Sequence, residues 1–178
     1  MSEQAIAQIK DLLNKDEPAE LGPGPRAGIL AEVTLKSKLD SLLAKTDLSP
    51  TRQQLVRSLI LLWHDHLDAS HTISQGIESA DGSFLHAIMH RREPDAWNSK
   101  YWWRRVGDHP AFPEIARRVD KFLAGKPDLA KRLVRDGNWD ASAFVDACDT
   151  ATNESLIGTL RELQRIETEV LLEFFCHE

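Results

Sequence analysis

Residues 154–176 read ESLIGTLRELQRIETEVLLEFFC and show a clear helical period. The apolar side chains of this stretch recur at steps of three and four residues: Leu156, Leu160, Leu163, Ile166, Val170 and Phe174. This period puts them on one face of an amphipathic helix, as in a helix that packs on a bundle. We therefore predict a terminal helix over about 154–176 that contributes to an all-α core.

Helical patterns also account for the rest of the chain. Ser49 and Pro50 offer an N-cap residue followed by proline at the first helical position, so we predict one long helix over about 50–75. Ser83, in the turn-like run 81–83, is predicted to cap a short helix over 84–92. The other predicted helices cover about 3–15, 28–45, 98–106, 113–123, 127–135 and 141–151. No convincing pair of strands is found. The sequence thus predicts an all-α single-domain helical bundle with short accessory helices.

Composition limits the class of protein. The chain has 178 residues, 42% hydrophobic and 28% charged, with a formal net charge of -6. The acidic balance argues against a protein whose whole surface binds nucleic acid, and the longest apolar run, 59–63, is too short to span a membrane. Only two cysteines are present, which fits a reducing compartment, so we predict a cytoplasmic protein with no membrane partner. Residues 1–27 are predicted to form an N-terminal helix and a Pro/Gly-rich loop, and 28–178 a helical domain that contains a histidine-rich site.

Histidines are concentrated in one region. Six of the seven lie between residues 63 and 109: His64, His66, His71, His86, His90 and His109. His86 and His90 are four residues apart, so on a helix they lie on one face and can converge on one ion. Imidazole is a common metal ligand and titrates near neutrality, so this clustering indicates a metal or acid-base site. His86 is followed by alanine where a zinc protease of the HExxH type has its glutamate, which excludes that class.

The predicted long helix offers two directions for a further ligand. His64, Asp68 and His71 fall within an arc of about 60°, whereas His66 points roughly 160° away, toward the apolar face. We favour His71 and Asp68, because Asp-x-x-His places a carboxylate and an imidazole side by side on one face. The predicted metal ligands are therefore His71, His86, His90 and Asp68. We expect His109 to lie in a loop, or to contact a metal ligand without binding the metal itself.

The predicted helix over 84–92 ends close to two carboxylates. Glu93 lies seven residues after His86, so it is a candidate third ligand or a residue that orients a histidine. The catalytic residues are left open, with Glu93 and Asp95 as candidates. Nitrogen and oxygen ligands with an open position suit zinc, iron, manganese or nickel, and that position would hold a water whose pKa the metal lowers.

A segment that mixes cations and flat rings follows. It contains Arg91, Arg92, Trp97, Lys100, Tyr101, Trp102, Trp103, Arg104 and Arg105. Guanidinium groups beside aromatic rings can bind a phosphate, a carboxylate or a stacked base. Arg91, Arg92, Tyr101 and Arg105 are therefore candidates for substrate binding. The alternative is structural, with tryptophans in the core and arginines paired to acidic neighbours.

The run HAIMHRREPD at 86–95 resembles a family of uncharacterised bacterial and fungal proteins. The matching pattern continues with Asn98, Lys100 to Trp102, Arg104 to Gly107, and His109 with Pro110. It covers roughly residues 55–115, with a weaker echo around 171–176. No activity is assigned to that family, so the resemblance implies no reaction, cofactor or partner. It implies a site at the matching positions: His86, His90, Arg91, Arg92, Glu93 and Asp95.

Two classes of function agree with these observations. The leading hypothesis is a metal-binding protein; whether it is also an enzyme, such as a metal-dependent hydrolase or oxidoreductase of a small anionic substrate, is left open. The alternative is a metal-free module that binds a nucleotide or another anion, or a domain with a structural or interaction role. The sequence leaves self-association as a homo-oligomer open.

Overall fold

The computed structural model describes residues 2–177, and most of this part of the chain is helical. The first helix, α1, spans Ser2–Lys10 and continues into a 3-10 turn at Asp11–Leu13. After a segment without regular structure, α2 spans Glu32–Leu43. The N-terminal segment packs on the terminal helix, where the Arg161 guanidinium donates a hydrogen bond to the carbonyl of Pro18 at 2.6 Å. Apolar residues of α1 and α2 join the same core as the rest of the chain.

The helix predicted over 50–75 is two helices in the structure. The first, α3, spans Pro50–Trp63, and the Ser49 hydroxyl caps it as predicted by accepting a hydrogen bond from the backbone N–H of Arg52 at 3.3 Å. The second, α4, spans Leu67–Ser74. Between them Asp65 has a φ of 64°, a left-handed conformation that ends a right-handed helix. The prediction of one continuous helix is therefore wrong.

Ion pairs with distant parts of the chain explain this bend. The Asp65 carboxylate is buried and lies 2.6 Å from Nη2 of Arg92 and 3.1 Å from Nη1 of Arg26. A local sequence pattern cannot reveal such partners. The bend also redirects His64, which we expected at the edge of the polar face. Its side chain is fully buried, and its Nε2 lies 3.0 Å from the carbonyl oxygen of Leu12.

The next two helices pack closely against each other. They are α5, Ala80–Arg92, and α6, Ala96–Val106. Ser79, and not the predicted Ser83, caps α5, because its hydroxyl accepts a hydrogen bond from the N–H of Gly82 at 3.1 Å. Gly82 therefore lies inside the first turn, where a Cβ atom would come within 2.1 Å of the carbonyl oxygen of Ile77. This close approach requires glycine.

The C-terminal part contains three short helices and a small hairpin before the last helix. The helices are α7, Phe112–Phe122, α8, Pro127–Leu133, and α9, Ala141–Asp149. Strands β1, Val134–Arg135, and β2, Asn138–Trp139, pair in antiparallel orientation across Asp136 and Gly137. The prediction of no strand pair missed this hairpin. Both turn residues have positive φ, as a tight Asp-Gly turn requires, but two-residue strands are too short to show an alternating pattern.

The last helix, α10, spans Glu154–Cys176, as predicted. Its cap is Asn153, whose side-chain oxygen accepts a hydrogen bond from the N–H of Leu156 at 3.1 Å. Leu160, Leu163 and Val170 of the predicted stripe are buried, and α10 packs on α3, α7 and α9. The structure thus confirms an all-α fold. Within residues 2–177, none of the helices combines the length and the apolar character needed to cross a bilayer.

Candidate metal centre

Three imidazoles from two helices meet at one point. His71 lies on α4, and His86 and His90 lie one turn apart on α5. One ring nitrogen from each residue can be chosen so that all three lie within 4.8 Å of one another. The Nε2 atoms of His71 and His86 are 2.9 Å apart. The predicted convergence of these three side chains is therefore found in the geometry.

Packing between the helices positions these side chains. The hydroxyl of Ser58 on α3 donates a hydrogen bond to the carbonyl of Ser70 at 3.1 Å, which ties α4 back onto α3 after the bend. Almost every side chain of α5 is buried, including His86 at 4% exposed and His90 at 7%. His71 is only partly buried. The cluster thus lies in the interior, with its accessible side at His71.

A carboxylate and an amide flank His90. Oε2 of Glu93 lies 2.9 Å from Nδ1 of His90. The side-chain nitrogen of Asn98, on α6, lies 3.1 Å from Nε2 of the same ring. A carboxylate against Nδ1 favours the tautomer that carries its proton there, which leaves a lone pair on Nε2. Glu93 is therefore placed to orient a ligand, one of the two roles that the sequence left open.

His86 is held in an apolar, ring-lined environment. Its imidazole stacks on Trp102 of α6, with ring centroids 3.9 Å apart and planes at 14°. Burial, together with the neighbouring His71 and His90, lowers the pKa of His86 to about 4. The ring is therefore neutral at neutral pH. Its Nδ1 is buried with no hydrogen-bond partner among residues 2–177, a state that costs about 1–3 kcal/mol.

The fourth predicted ligand does not join this cluster. Asp68 is exposed on α4, and its carboxylate is outside the group formed by the three histidines. Asp68 and His71 both lie on α4, and residues three apart on a helix point about 60° away from each other, so Asp68 faces solvent while His71 faces α5. Asp95, the second catalytic candidate, caps α6 by accepting a hydrogen bond from the N–H of Asn98 at 3.0 Å.

Two further histidines have structural partners. His66 is half-buried, and its Nε2 lies 2.8 Å from the carbonyl oxygen of Leu30. His109 is buried, and its Nε2 lies 2.8 Å from a carboxylate oxygen of Asp81. Neither belongs to the three-histidine group.

Two of the predicted substrate-binding arginines are engaged inside the protein. Nη2 of Arg91 lies 2.6 Å from Oε2 of Glu167, and both side chains are at most 1% exposed. The Arg92 guanidinium pairs with Asp65 and also donates hydrogen bonds to the carbonyls of Gly22 and Leu62. The structure thus places Arg91 and Arg92 in buried ion pairs and not at the three-histidine cluster. The structural alternative, in which arginines pair with acidic groups, applies to these two residues, although the partners are far away in sequence.

Tyr101 and Arg105, the other two predicted substrate-binding residues, are exposed on α6. Cζ of Arg105 lies 5.2 Å from the centroid of the Trp102 ring that stacks on His86. Asn98 and Trp102 were not among the predicted site residues, yet they contact His90 and His86. Their spacing of four residues matches that of the two histidines, which is the signal that could have paired α5 with α6.

No protein-family profile, curated protein or solved structure matches the chain.

Proposed function

We propose that the protein binds a divalent transition metal through His71, His86 and His90 and uses an open coordination position to act on a small anionic substrate. The observation that carries this proposal is the approach of three ring nitrogens to within 4.8 Å of one another. Nitrogens that share one tetrahedral zinc ion at 2.0–2.1 Å lie roughly 3.4 Å apart. The observed limit of 4.8 Å exceeds this spacing, so an ion would draw the three rings closer together.

The state of the donors supports the proposal. Imidazole binds a metal only in its neutral form, and burial keeps His86 in that form. The carboxylate of Glu93 against Nδ1 of His90 gives the arrangement of acid, histidine and metal that is common in metalloproteins. Both features are present without an ion, and an ion bound at Nε2 of His90 would take the place of the Asn98 amide that lies 3.1 Å from this atom.

Reactivity requires a free position on the ion. Three protein ligands and one open position are typical of catalytic zinc sites, whereas structural sites are closed. Because His71 is partly exposed, solvent or a substrate can approach from its side. Three neutral ligands leave the charge of the ion uncompensated, so an anionic substrate is favoured. Zinc, iron, manganese and nickel all fit nitrogen donors of this kind.

Metal titration tests the proposal. We expect protein stripped with a chelator to bind one equivalent of at least one of the four metals, measured by calorimetry and by elemental analysis after desalting. His86→Ala and His90→Ala should each remove this binding. His177→Ala, which changes an exposed histidine near the C-terminus, is the matched control and should leave it intact. If the unaltered protein binds none of the four metals stoichiometrically, or if His86→Ala binds as well as the parent, the proposal is wrong.

A specific distance favours a second candidate, a metal-free anion-binding module. Nε2 of His71 and Nε2 of His86 are 2.9 Å apart, which is a hydrogen-bonding distance, so this pair can be satisfied without an ion. In that case anions should raise the melting temperature of the protein, whereas zinc and chelators should not change it.

We also propose a cytoplasmic location. The absence of a disulfide between Cys148 and Cys176 supports this assignment, because secreted proteins of similar size often use disulfides. Cell fractionation tests it.

A further inference from the structure

Helix α6 carries a group of exposed rings and cations, which we name the aromatic-arginine surface: Trp97, Tyr101, Arg104 and Arg105. The Trp97 side chain is 75% exposed and that of Tyr101 is 38% exposed. Their planes are within 14° of parallel, with centroids 6.4 Å apart. Exposed apolar side chains of this size that lie together are typical of binding surfaces. The two rings are thus accessible to solvent and nearly parallel to each other.

The two arginines of this surface lack acidic partners. Within residues 2–177, no carboxylate forms an ion pair with Arg104 or Arg105, in contrast to the buried Arg91 and Arg92. Instead their guanidinium carbons lie 5.8 Å and 6.0 Å from the centroid of the Tyr101 ring. Two uncompensated positive charges therefore lie beside a stacked pair of rings. This combination is complementary to a ligand that has both a flat ring and a negative charge.

The aromatic-arginine surface is connected to the three-histidine cluster through one ring. Trp102 packs at right angles to Tyr101, with centroids 5.5 Å apart, and stacks on His86 at 3.9 Å. The Arg105 guanidinium lies beside the same Trp102 ring. A ligand on this surface would therefore be separated from His86 of the cluster by the Trp102 ring.

We propose that the aromatic-arginine surface binds a planar ring that carries an anionic group, and that this is the substrate class of the neighbouring site. The second half of this statement rests on the proposed function. The ring would stack on Trp97 and Tyr101, while Arg104 and Arg105 would bind the phosphate or carboxylate. Nucleotides and aromatic acids share this chemistry.

Four probes separate the ring from the charge. They are adenosine monophosphate, benzoate, adenosine and inorganic phosphate, each titrated into metal-free and zinc-loaded protein by calorimetry. We expect at least one of the two ring-bearing anions to bind about tenfold or more tightly than both adenosine and phosphate, because each of these offers only one half of the recognition. Preference for the nucleotide or for benzoate identifies the source of the ligand.

Variants locate the binding. Trp97→Ala and Arg105→Gln should each weaken binding of the preferred probe by about tenfold. Phe122→Ala, at an exposed ring on α7, and Arg117→Gln, at an exposed arginine on α7, are matched controls and should not change it. None of these four residues contributes to the three-histidine group, so zinc titration of the same preparations reports on the proposed function separately.

The outcomes are distinguishable. If the ring-bearing anion binds and no metal does, the metal proposal is refuted. The aromatic-arginine surface then remains a ligand-binding site of a protein without a metal. The inference would be overturned if no probe binds, or if phosphate binds as tightly as the ring-bearing anions. It would also be overturned if Trp97→Ala and Arg105→Gln bind the preferred probe as tightly as the parent protein. A dimer of the parent protein that Trp97→Ala converts to monomer, with no effect on the probes, would likewise overturn it and assign the surface to self-association. Light scattering measures the molar mass of parent and variant and thus their oligomeric state.

Discussion

Arg91 on α5 and Glu167 on α10 form a fully buried ion pair, with Nη2 of the arginine 2.6 Å from Oε2 of the glutamate. The Gln164 side-chain oxygen accepts a hydrogen bond from Arg91, and the indole N–H of Trp139 donates one to Glu167. Arg91 directly follows His90, so this pair fixes the helix that carries two of the three clustered histidines against the terminal helix. Its role is structural support of the site.

Removal of one partner of this pair should be severely destabilising. We expect Arg91→Ala to lower the free energy of unfolding by about 3–5 kcal/mol, because a buried carboxylate is left without its counter-charge. Urea denaturation followed by circular dichroism measures this change. Arg117→Ala, which removes a solvent-exposed arginine paired to Glu114, should leave the midpoint nearly unchanged. Equal effects of the two substitutions would contradict the structural role of Arg91.

The carboxylate behind His90 should matter for metal binding, whereas the exposed carboxylate on α4 should not. Glu93→Gln is expected to weaken zinc binding by about 10–100-fold, because the amide no longer stabilises the proton on Nδ1 as a carboxylate does. Asp68→Asn is the matched control and should bind zinc like the parent protein. Competition with a chromophoric chelator measures both affinities. If only Asp68→Asn lowers the zinc affinity strongly, the aspartate, and not the glutamate, contributes to metal binding.

Stability should decrease in mild acid because of His64. Burial lowers the pKa of this histidine to about 4, whereas in the unfolded chain it titrates near 6.5. Between these values the unfolded chain binds a proton that the native state does not. The contribution of His64 is therefore fully present above pH 6.5 and is lost as the pH falls toward 4.

In this interval we expect the free energy of unfolding to fall by up to about 1.4 kcal/mol per pH unit from His64 alone. His64→Gln keeps a donor for the Leu12 carbonyl but cannot titrate, so its stability should depend less steeply on pH. Urea melts of metal-free protein at pH 7.5, 6.5 and 5.5 provide the comparison. Parallel profiles for parent and variant would rule out His64 as the source.

Both thiols should be unreactive in the native protein. Burial raises the pKa of Cys176 to about 11 and that of Cys148 to about 12, so little thiolate exists at pH 8. We expect the reaction with Ellman's reagent to be at least about tenfold slower in the folded than in the urea-unfolded chain. The absorbance of the coloured thiolate that the reagent releases measures the rate of the reaction. Rapid labelling of one thiol under native conditions would show that its segment opens readily.

Regular parts of this fold could be predicted because their signals are local. Residues 154–176 have one apolar stripe and an asparagine cap, and the observed helix has the predicted bounds. His86 and His90 could be placed on one face for the same reason. A period of three to four residues depends only on the chain nearby.

The parts that failed depend on contacts between distant residues. The sequence around residue 65 does not show that Arg92 will pair with the Asp65 carboxylate, so the bend between α3 and α4 was missed, and with it the true direction of His64. For the same reason Arg91 was assigned to substrate binding, because Glu167 lies far along the chain. Predictions from sequence were thus least reliable where a charge is buried.

The left-handed conformation of Asp65 has a consequence for which substitutions the bend can accept. Glycine would adopt this φ without the penalty of about 1–2 kcal/mol that a side chain brings. If backbone conformational energy alone determined the residue at this bend, we would expect glycine. Glycine, however, would leave two guanidinium groups in the interior without their shared anion. Aspartate, which tolerates this region better than most residues, meets both demands, so replacement by glycine would require compensating substitutions at both Arg26 and Arg92.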